Sequence, residues 1–318
     1  MRYAFIDEFR GFSIFLMLFF NFLSSLAFAI PFFLLHNQGN VLLFGDLIAP
    51  FFQFLIGACT CISVSKRREN GASELEILKH IGKRALFLVF LGLALDVFAS
   101  SKLAFTWGVL ESLGVGLFIA YLALFLPLLP RALSALALTA VYAYAMQFQW
   151  FASSVSLTQH GGPLGAISFA VISIFGAVFA ELLLKEKREN FSMYALCGSL
   201  ALLGLGSLAS SFIPFNKLLV SPSYALFASG ASLLFFLLFY FLSEIKGIRL
   251  PLLSELGLNA LALWILQFLL FFYPLWFLAK NTNFLAFLPE GVFAALALTL
   301  VFILLNKLLL RANVRISL

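Results

Sequence analysis

Long runs of apolar residues alternate with short clusters of charged and polar residues along the whole chain. A helix needs about 20 mainly apolar residues to cross roughly 30 Å of hydrocarbon, and nearly every run is long enough. The pattern therefore predicts an all-α, polytopic integral membrane protein with about ten transmembrane helices, forming a single domain over residues 1–318. The predicted spans are 10–31, 46–65, 84–101, 106–128, 132–151, 164–184, 191–212, 222–243, 252–276 and 290–310.

The composition agrees with a membrane protein. Hydrophobic residues make up 63% of the chain, charged residues only 11%, and the mean hydropathy is +1.07. The three cysteines, Cys59, Cys61 and Cys197, all lie in apolar runs, and their spacing suggests neither disulfides nor a metal site. We therefore expect no metal.

The basic residues predict how the chain is oriented in the membrane, because lysine and arginine are retained in cytoplasmic loops. Ten spans place both termini on the same side. If that side is the cytoplasm, only Lys102, Lys217 and Lys280 of the 20 basic residues lie outside. The prediction is an N-in, C-in topology, which explains the net charge of +6 without a nucleic-acid partner.

Polar residues within the spans fall on helical faces. On the first span Asp7, Arg10 and Asn21 share one face, and the amide lies about 16 Å beyond Arg10, at membrane depth. Polar groups at that depth are expensive and mark candidate functional sites. Similar stripes are Asp46, Pro50, Gln53, Gly57 and Thr60 on the second span, and Glu255, Asn259 and Gln267 on the ninth.

The longest polar stretch lies between the second and third spans, at residues 65–84. Within it Leu75, Leu78 and Ile81 recur at helical spacing. This spacing predicts a cytoplasmic amphipathic helix.

The first hairpin carries an ordered set of motifs. It reads IDEFRG, then Asn21, then a loop histidine, His36, ahead of GDLIAPFFQFLIG. Further along come GKRALFLVFLGLALD, GVLESLG, GPLGAISFAVISIFGAVFAELLL, SSFIPFNKLLVSPSYALFASG and LGLNALALWILQ. In this order, and over nearly the whole chain, the motifs resemble the heparan-α-glucosaminide N-acetyltransferase family of transmembrane acyltransferases.

The resemblance implies a reaction and a set of site residues. The family takes acetyl from acetyl-CoA on the cytoplasmic side and delivers it to the amino group of a terminal glucosamine across the membrane. By position, the family's catalytic histidine matches His36, its supporting asparagine matches Asn21, and an acid at the start of the second span matches Asp46. The family also suggests a homodimer.

Acyl transfer from a thioester to an amine calls for these residue types. Histidine removes a proton near neutral pH, and an asparagine amide in a dry site donates a hydrogen bond to the carbonyl oxygen as it becomes negative. Alternatively, His36 accepts the acetyl group covalently and passes it on. The simpler interpretations are a solvated histidine in the polar loop HNQGN and an asparagine that bonds a neighbouring helix.

Four charged residues on the predicted cytoplasmic side are candidates for binding acyl-CoA. Asp7 and Arg10 occupy the family motif at the cytoplasmic mouth, and Arg84 and Arg68 would meet phosphates. Each pair also has a simpler interpretation. An acid at a helix start suits the helix dipole, and cytoplasmic arginines serve as orientation signals.

The chain departs from the family pattern at several positions. Glu111 and Ser112 replace a glutamine-arginine pair, residues 159–162 replace an acidic element, and Gln267 replaces a histidine. His160, inside the replaced element, is a candidate to compensate. These changes leave the identity of the acceptor open.

Two functions of different classes remain. The first is an acyltransferase in a cell membrane that uses acetyl-CoA or a similar acyl-CoA to modify an amine or hydroxyl of a sugar-containing acceptor outside the cytoplasm. The second is a transporter or flippase that keeps the fold without the chemistry. Transporters commonly show repeated halves with interrupted spans, and the sequence contains no convincing repeat. The enzyme is the preferred hypothesis.

Overall fold

The structure, a computed structural model, describes residues 3–26, 32–34, 39–100, 107–156, 159–275 and 291–314. Over these residues all regular structure is helical, which confirms the prediction of an all-α polytopic membrane protein. The α-helices are α1 (Ala4–Leu26), α2 (Ile48–Glu69), α3 (Glu74–Ser100), α4 (Val109–Ala123), α5 (Leu128–Ala145), α6 (Gln149–Ser156), α7 (Gly162–Lys185), α8 (Arg188–Ser210), α9 (Pro222–Tyr240), α10 (Pro251–Leu258), α11 (Ala260–Gln267) and α12 (Val292–Arg311). Short 3₁₀ turns cover Phe32–Leu34, Phe44–Leu47 and Gln159–Gly161, and π turns cover Phe241–Ile245 and Phe268–Phe272.

Six helices within the described residues are long and apolar enough to cross a membrane. A seventh span results if α10 and the following helical residues, Ala260–Leu275, count as one. The figure of ten spans therefore stays a prediction.

The ninth predicted span, 252–276, is broken at Asn259, where the chain bends by 69°. Asn259 has φ −120° and ψ 24°, outside the helical region. Its side-chain nitrogen donates to the Asn306 Oδ1 atom at 3.0 Å and to the Val314 carbonyl at 3.3 Å. These bonds connect the break to α12 and to the residues that follow it, so they stabilise the bent conformation.

Residues 65–84, where the sequence predicts a cytoplasmic amphipathic helix, are helical but do not form one helix of their own. Helix α2 continues to Glu69, and α3 begins at Glu74 and runs on into the third predicted span. Of the predicted apolar face, Ile81 is fully buried, whereas Leu75 is 58% exposed and Leu78 is 39% exposed. Ile77, which was not part of that face, is fully buried. The polar stretch thus supplies the ends of two long helices and the turn between them.

The chain divides into two compact units, which we describe separately. The terminal unit consists of Met1–His36, Leu43–Ile48 and Leu238–Leu318, and the central unit consists of Asn37–Leu42 and Ala49–Leu237. The prediction of one domain over residues 1–318 is not tested by this division.

In the terminal unit, α1 packs closely along α10 and also contacts α12. Glycines allow the close approach, because a Cβ atom at Gly11 would overlap the Leu253 carbonyl and one at Gly257 would overlap the Asp7 carbonyl. Small residues at helix contacts are typical of membrane proteins, where backbone packing replaces much of the hydrophobic driving force. The start of α1 is therefore fixed against α10.

In the central unit, α7 is buried over most of its length and contacts α4, α5, α6 and α8. Helix α2 also lies directly on α7, because a Cβ atom at Gly57 would overlap the Ser173 carbonyl and one at Gly176 would overlap the Phe54 carbonyl. Gln53 joins the same contact, with its Nε2 atom donating to Ser173 Oγ at 2.8 Å. The polar stripe predicted on the second span is thus largely used for helix packing in this unit.

Candidate functional site

The C-terminal end of α1 lies beside the turn that carries Asp46, and both belong to the terminal unit. The rings of Phe20 and Phe44 lie 6.3 Å apart. Asn21, the next residue, is half-buried, whereas Asp46 is buried. The structure thus places the helix end with the predicted amide near the turn with the predicted acid.

Asp46 organises its own turn. Its Oδ2 atom accepts a hydrogen bond from the backbone N–H of Leu43 at 3.0 Å. A carboxylate in this position stabilises the first turn of the helical segment that continues into α2. The family's acid therefore has a clear local structural role.

His36 lies outside the described residues. The described residues on either side of it are Leu34 and Gly39. The 3₁₀ turn Phe32–Leu34 contacts the turn Phe44–Leu47. Leu34, the last described residue before His36, thus belongs to a turn that contacts the Asp46 turn.

Asp7 and Arg10 form an ion pair on the first turns of α1, with 3.2 Å between Arg10 Nη1 and Asp7 Oδ1. Both are largely enclosed, with side-chain exposures of 9% and 13%. The pair is the helix-start arrangement that the sequence left as an alternative to ligand binding. Enclosure in α1 does not by itself distinguish the two roles.

Glu8, which lies between Asp7 and Arg10 in the IDEFRG motif, connects α1 to α10. Its Oε1 atom accepts a hydrogen bond from the backbone N–H of Leu250 at 3.0 Å, just before α10 begins. A carboxylate suits this position, because the helix N-terminus carries exposed N–H groups and partial positive charge. The motif from Asp7 to Gly11 thus serves the packing of α1 on α10 through Glu8 and Gly11.

In the central unit, Arg68 is already paired. Its guanidinium donates to both carboxylate oxygens of Glu74, at 2.6 and 3.1 Å, and lies 5.6 Å from the centre of the Phe125 ring. The arginine lowers the pKa of the Glu74 carboxyl below its ordinary value. Arg68 is therefore a weaker candidate for phosphate binding than the sequence suggested.

Arg84 lies half-buried on α3, one turn beyond His80. The Arg67 Nη2 atom lies 3.0 Å from His80 Nε2, and because a guanidinium only donates, this ring nitrogen accepts. Burial, with Arg67 and Arg84 nearby, lowers the pKa of His80. Arg67, His80 and Arg84 thus lie close together where α2 ends and α3 begins, and the histidine is neutral.

A cavity of about 430 Å³ opens in the central unit at the ends of α2, α4 and α7 and the start of α5. Its lining includes Arg68, Arg131 and Lys185 together with Glu69 and Glu181. Arg131 is buried, and all three of its guanidinium nitrogens donate hydrogen bonds. The acceptors are the carboxylate of Glu181 and the carbonyl oxygens of Ala123 and Leu126. Sequence reasoning read Arg131 only as an orientation signal, and its partner 50 residues away left no local pattern.

Glu111 and Ser112, which depart from the family pattern, have structural partners at the start of α4. Glu111 is buried, and its Oε2 atom accepts from the Gly108 backbone N–H at 3.1 Å. The Trp107 indole donates to Ser112 Oγ at 3.0 Å. Both replacements therefore stabilise the first turn of this helix.

His160 is buried directly before α7, with its ring centre 6.2 Å from that of Phe169. Its backbone is left-handed, with φ 54°, and the next two residues, Gly161 and Gly162, also have positive φ. Such a conformation is strained for histidine and persists only where its surroundings hold it. The structure thus makes His160 part of a tight turn.

Gln267 is fully buried at the end of α11 in the terminal unit. Neither its Oε1 nor its Nε2 atom has a hydrogen-bond partner among the residues that the structure describes. Within the same ranges, no group of three histidine, cysteine or acidic side chains is arranged to hold a metal ion.

Part of the chain matches a known protein family. Residues 2–213, two thirds of the chain, match the family model described as heparan-alpha-glucosaminide N-acetyltransferase, catalytic. No curated protein matches the chain.

Proposed function

The chain belongs to the heparan-alpha-glucosaminide N-acetyltransferase catalytic family, and on this premise we propose that it moves an acetyl or other short acyl group across a membrane. The family and the apolar helices make it a membrane-embedded acetyltransferase in general terms. In the proposal, the donor is cytoplasmic acetyl-CoA or a similar acyl-CoA. The acceptor is an amine or hydroxyl of a sugar-containing molecule at the extracytoplasmic face of a cell membrane.

The arrangement at the C-terminal end of α1 is the observation that carries this proposal. There the helix with Asn21 contacts the turn with Asp46, and the turn Phe32–Leu34 reaches the same place. The predicted topology puts this end outside the cytoplasm. Asn21 and Asp46, two of the three residues that the resemblance assigns to the transfer, thus lie on elements that contact each other in the terminal unit.

We assign the chemistry to His36 and Asn21, with Asp46 holding the turn. In the direct route the acceptor nitrogen or oxygen attacks the thioester carbonyl carbon while His36 takes its proton. The C–S bond then breaks, and the CoA sulfur leaves and receives that proton. Throughout, the Asn21 amide donates to the carbonyl oxygen that becomes negative.

A relay through His36 is the other route. The histidine ring attacks the thioester carbonyl carbon first and the C–S bond breaks. The CoA sulfur then leaves as the thiol with the proton that the other ring nitrogen gives up. The acceptor then removes the acetyl group from the ring, and its proton passes to the nitrogen that is freed. Both routes use the same residues and give the same products.

Four residues are proposed to bind the donor. Arg84 is the stronger candidate for the CoA phosphates, because Arg68 is already paired with Glu74. Asp7 and Arg10 are proposed to meet the donor at the cytoplasmic mouth, where Arg10 keeps some exposure. Homodimerisation stays a prediction from the resemblance.

The break at Asn259 favours a second candidate function, a transporter or flippase. Interrupted transmembrane helices line the substrate sites of many transporters. The bend of 69° between α10 and α11 is of this kind. A transporter would move its substrate without consuming a thioester.

Proteoliposomes with acetyl-CoA inside and amino sugars outside test both candidates. We expect continued release of free CoA thiol to require an external acceptor and to be lost in His36→Ala, whereas Asn37→Ala, a control in the same loop, retains it. If acetyl-CoA neither binds nor turns over with any acceptor, the proposed donor is wrong. Movement of labelled sugar without thiol release would support the transporter instead.

A further inference from the structure

Gln267 is the most unusual buried polar side chain of the terminal unit. It is fully buried, yet neither polar atom of its carboxamide has a hydrogen-bond partner among the described residues. Two other buried polar side chains of the terminal unit, Asn259 and Thr299, do have hydrogen-bond partners. Asn259 bonds Asn306, and the Thr299 hydroxyl donates to the Ala295 carbonyl at 2.8 Å.

An unpaired buried amide destabilises the folded state, because it loses its bonds to water and gains none in return. Gln267 has no share in holding the helices together through hydrogen bonds to described residues. A buried carboxamide that makes no hydrogen bond to the described residues, and so costs stability, points to a ligand. This reasoning applies with most force at membrane depth, where water is scarce.

The position of Gln267 connects it with the proposed site. The residue ends α11, immediately before the π turn Phe268–Phe272. One turn further on, the rings of Phe271 and Phe272 lie 4.8 and 6.4 Å from that of Phe22. Phe22 directly follows Asn21, so Gln267 and the proposed catalytic amide lie on two helices that meet at this level. A π turn is itself frequent at functional sites.

The chemistry of the carboxamide limits the ligand. It carries no charge and offers one acceptor oxygen and two N–H donors. Its neighbours along the helix, Leu263 and Phe272, are buried and apolar. A phosphate, a carboxylate or an ammonium group would remain uncompensated in such a place, whereas a neutral amide or hydroxyl would pair with the carboxamide.

Acyl-CoA contains one part that fits this description. Its nucleotide end is highly charged, but the pantetheine arm that carries the thioester is long, thin and neutral, with two amides and a hydroxyl. We propose that Gln267 binds a neutral amide or hydroxyl of the pantetheine arm and so places the thioester at the level of Asn21. This inference rests on the proposed function, because it presumes an acyl-CoA donor.

The test is direct binding to the purified full-length protein in nanodiscs. Two probes are used, acetyl-CoA and S-acetylpantetheine, which keeps the arm and lacks the nucleotide. Gln267→Met preserves length and removes both polar atoms, and Thr299→Val is the matched control, a buried polar residue whose bond is internal to α12. We expect Gln267→Met to weaken both probes roughly tenfold, with a thermal midpoint equal to or above that of the wild type, and Thr299→Val to bind like the wild type.

Three results would overturn the inference. Unchanged affinity in Gln267→Met would mean that the amide meets only water or nothing, while the proposed function would stand. A fall in affinity together with a lower thermal midpoint of the ligand-free protein would show that Gln267 supports the fold rather than the ligand. Failure of the wild type to bind acetyl-CoA would reject the donor itself, and the inference with it.

Discussion

The carboxylate of Glu8 accepts a hydrogen bond from the backbone N–H of Leu250, which lies 242 residues further along the chain. The bond joins the first turn of α1 to the start of α10, where Gly11 and Gly257 also bring the two helices into backbone contact. The beginning and the last quarter of the sequence are thus fixed to one another. The family motif at the start of the chain consequently includes residues that build the fold as well as residues proposed for binding.

Glu8→Leu is expected to lower the free energy of unfolding by about 1–3 kcal/mol, because the N–H of Leu250 loses its charged acceptor. Glu8→Gln keeps an acceptor oxygen and should stay close to the wild type. Thermal unfolding of the two variants in detergent measures the difference. Equal midpoints for both would show that the bond contributes little.

Helix packing between α2 and α7 makes a second prediction. Gly57→Ala places a methyl group onto the Ser173 carbonyl, so the helices must separate and lose packing, at a cost of about 1–3 kcal/mol for overpacking. Gly82→Ala, in α3, meets open space and is expected to stabilise by about 0.5–1 kcal/mol through helix propensity. Thermal midpoints that shift in opposite directions would confirm the contact, and two similar shifts would contradict it.

Much of the fold follows from the sequence because the apolar runs leave the backbone no alternative to helices in a membrane. Where the prediction is wrong, long-range contacts decide. The break at Asn259 falls inside an apolar run and is held by Asn306 and Val314, which no local pattern reveals. At the start of α3, Leu75 and Ile77 are both apolar and lie two residues apart, so only the neighbouring helices determine which of them is buried.

The candidate site likewise contains residues that a local sequence pattern reveals and residues whose role depends on long-range contacts. The sequence predicts Asn21 and Asp46 as candidates because polar residues at helical spacing stand out in apolar spans, and the resemblance supports both. Gln267 was seen only as a departure from the family, since nothing in a sequence tells whether a buried amide finds partners. Arg131 was assigned to orientation alone, because its ion pair with Glu181 joins separate helices.

The buried pair of Arg131 and Glu181 gives a third prediction. Glu181→Gln leaves the Arg131 guanidinium, which is 3% exposed, without its counter-charge, and a loss of about 3–5 kcal/mol is expected. Lys185 binds the other oxygen of the same carboxylate but is 70% exposed, so Lys185→Ala should cost less than about 1 kcal/mol. Thermal unfolding midpoints should therefore fall further in Glu181→Gln than in Lys185→Ala. A larger fall in Lys185→Ala would contradict the prediction.

The pH dependence of stability gives a fourth prediction, because His80 precedes the predicted third span and has a lowered pKa. The unfolded chain then binds a proton more readily than the folded one. The stability due to neutral His80 is therefore present above its ordinary pKa of 6.5 and is lost as the pH falls below it. The pKa of Glu74 is also lowered, but the stability that its carboxylate contributes is lost only as the pH falls below its ordinary pKa of 4.5.

Thermal midpoints recorded between about pH 7.5 and pH 5 separate these effects. The wild type should lose stability in the lower part of this range, as the pH falls below 6.5, and His80→Gln should lose less. If the two curves run parallel, the contact between Arg67 and His80 does not govern the response.

The last prediction concerns Asn21, which lies half-buried beside the Asp46 turn and is proposed to stabilise the developing negative charge. If it donates to the carbonyl oxygen only as the thioester is attacked, Asn21→Ala should lower kcat by about 10²–10³-fold, the usual effect of removing one such donor. KM and the thermal midpoint should change little, because the bond is made in the transition state rather than in the ground state. Ser24→Ala is the matched control on the same helix, since Ser24 is exposed and its hydroxyl donates to the Phe20 carbonyl. An unchanged kcat in Asn21→Ala would leave the residue as a polar contact between helices, whereas a loss of kcat with normal stability would assign it to the reaction.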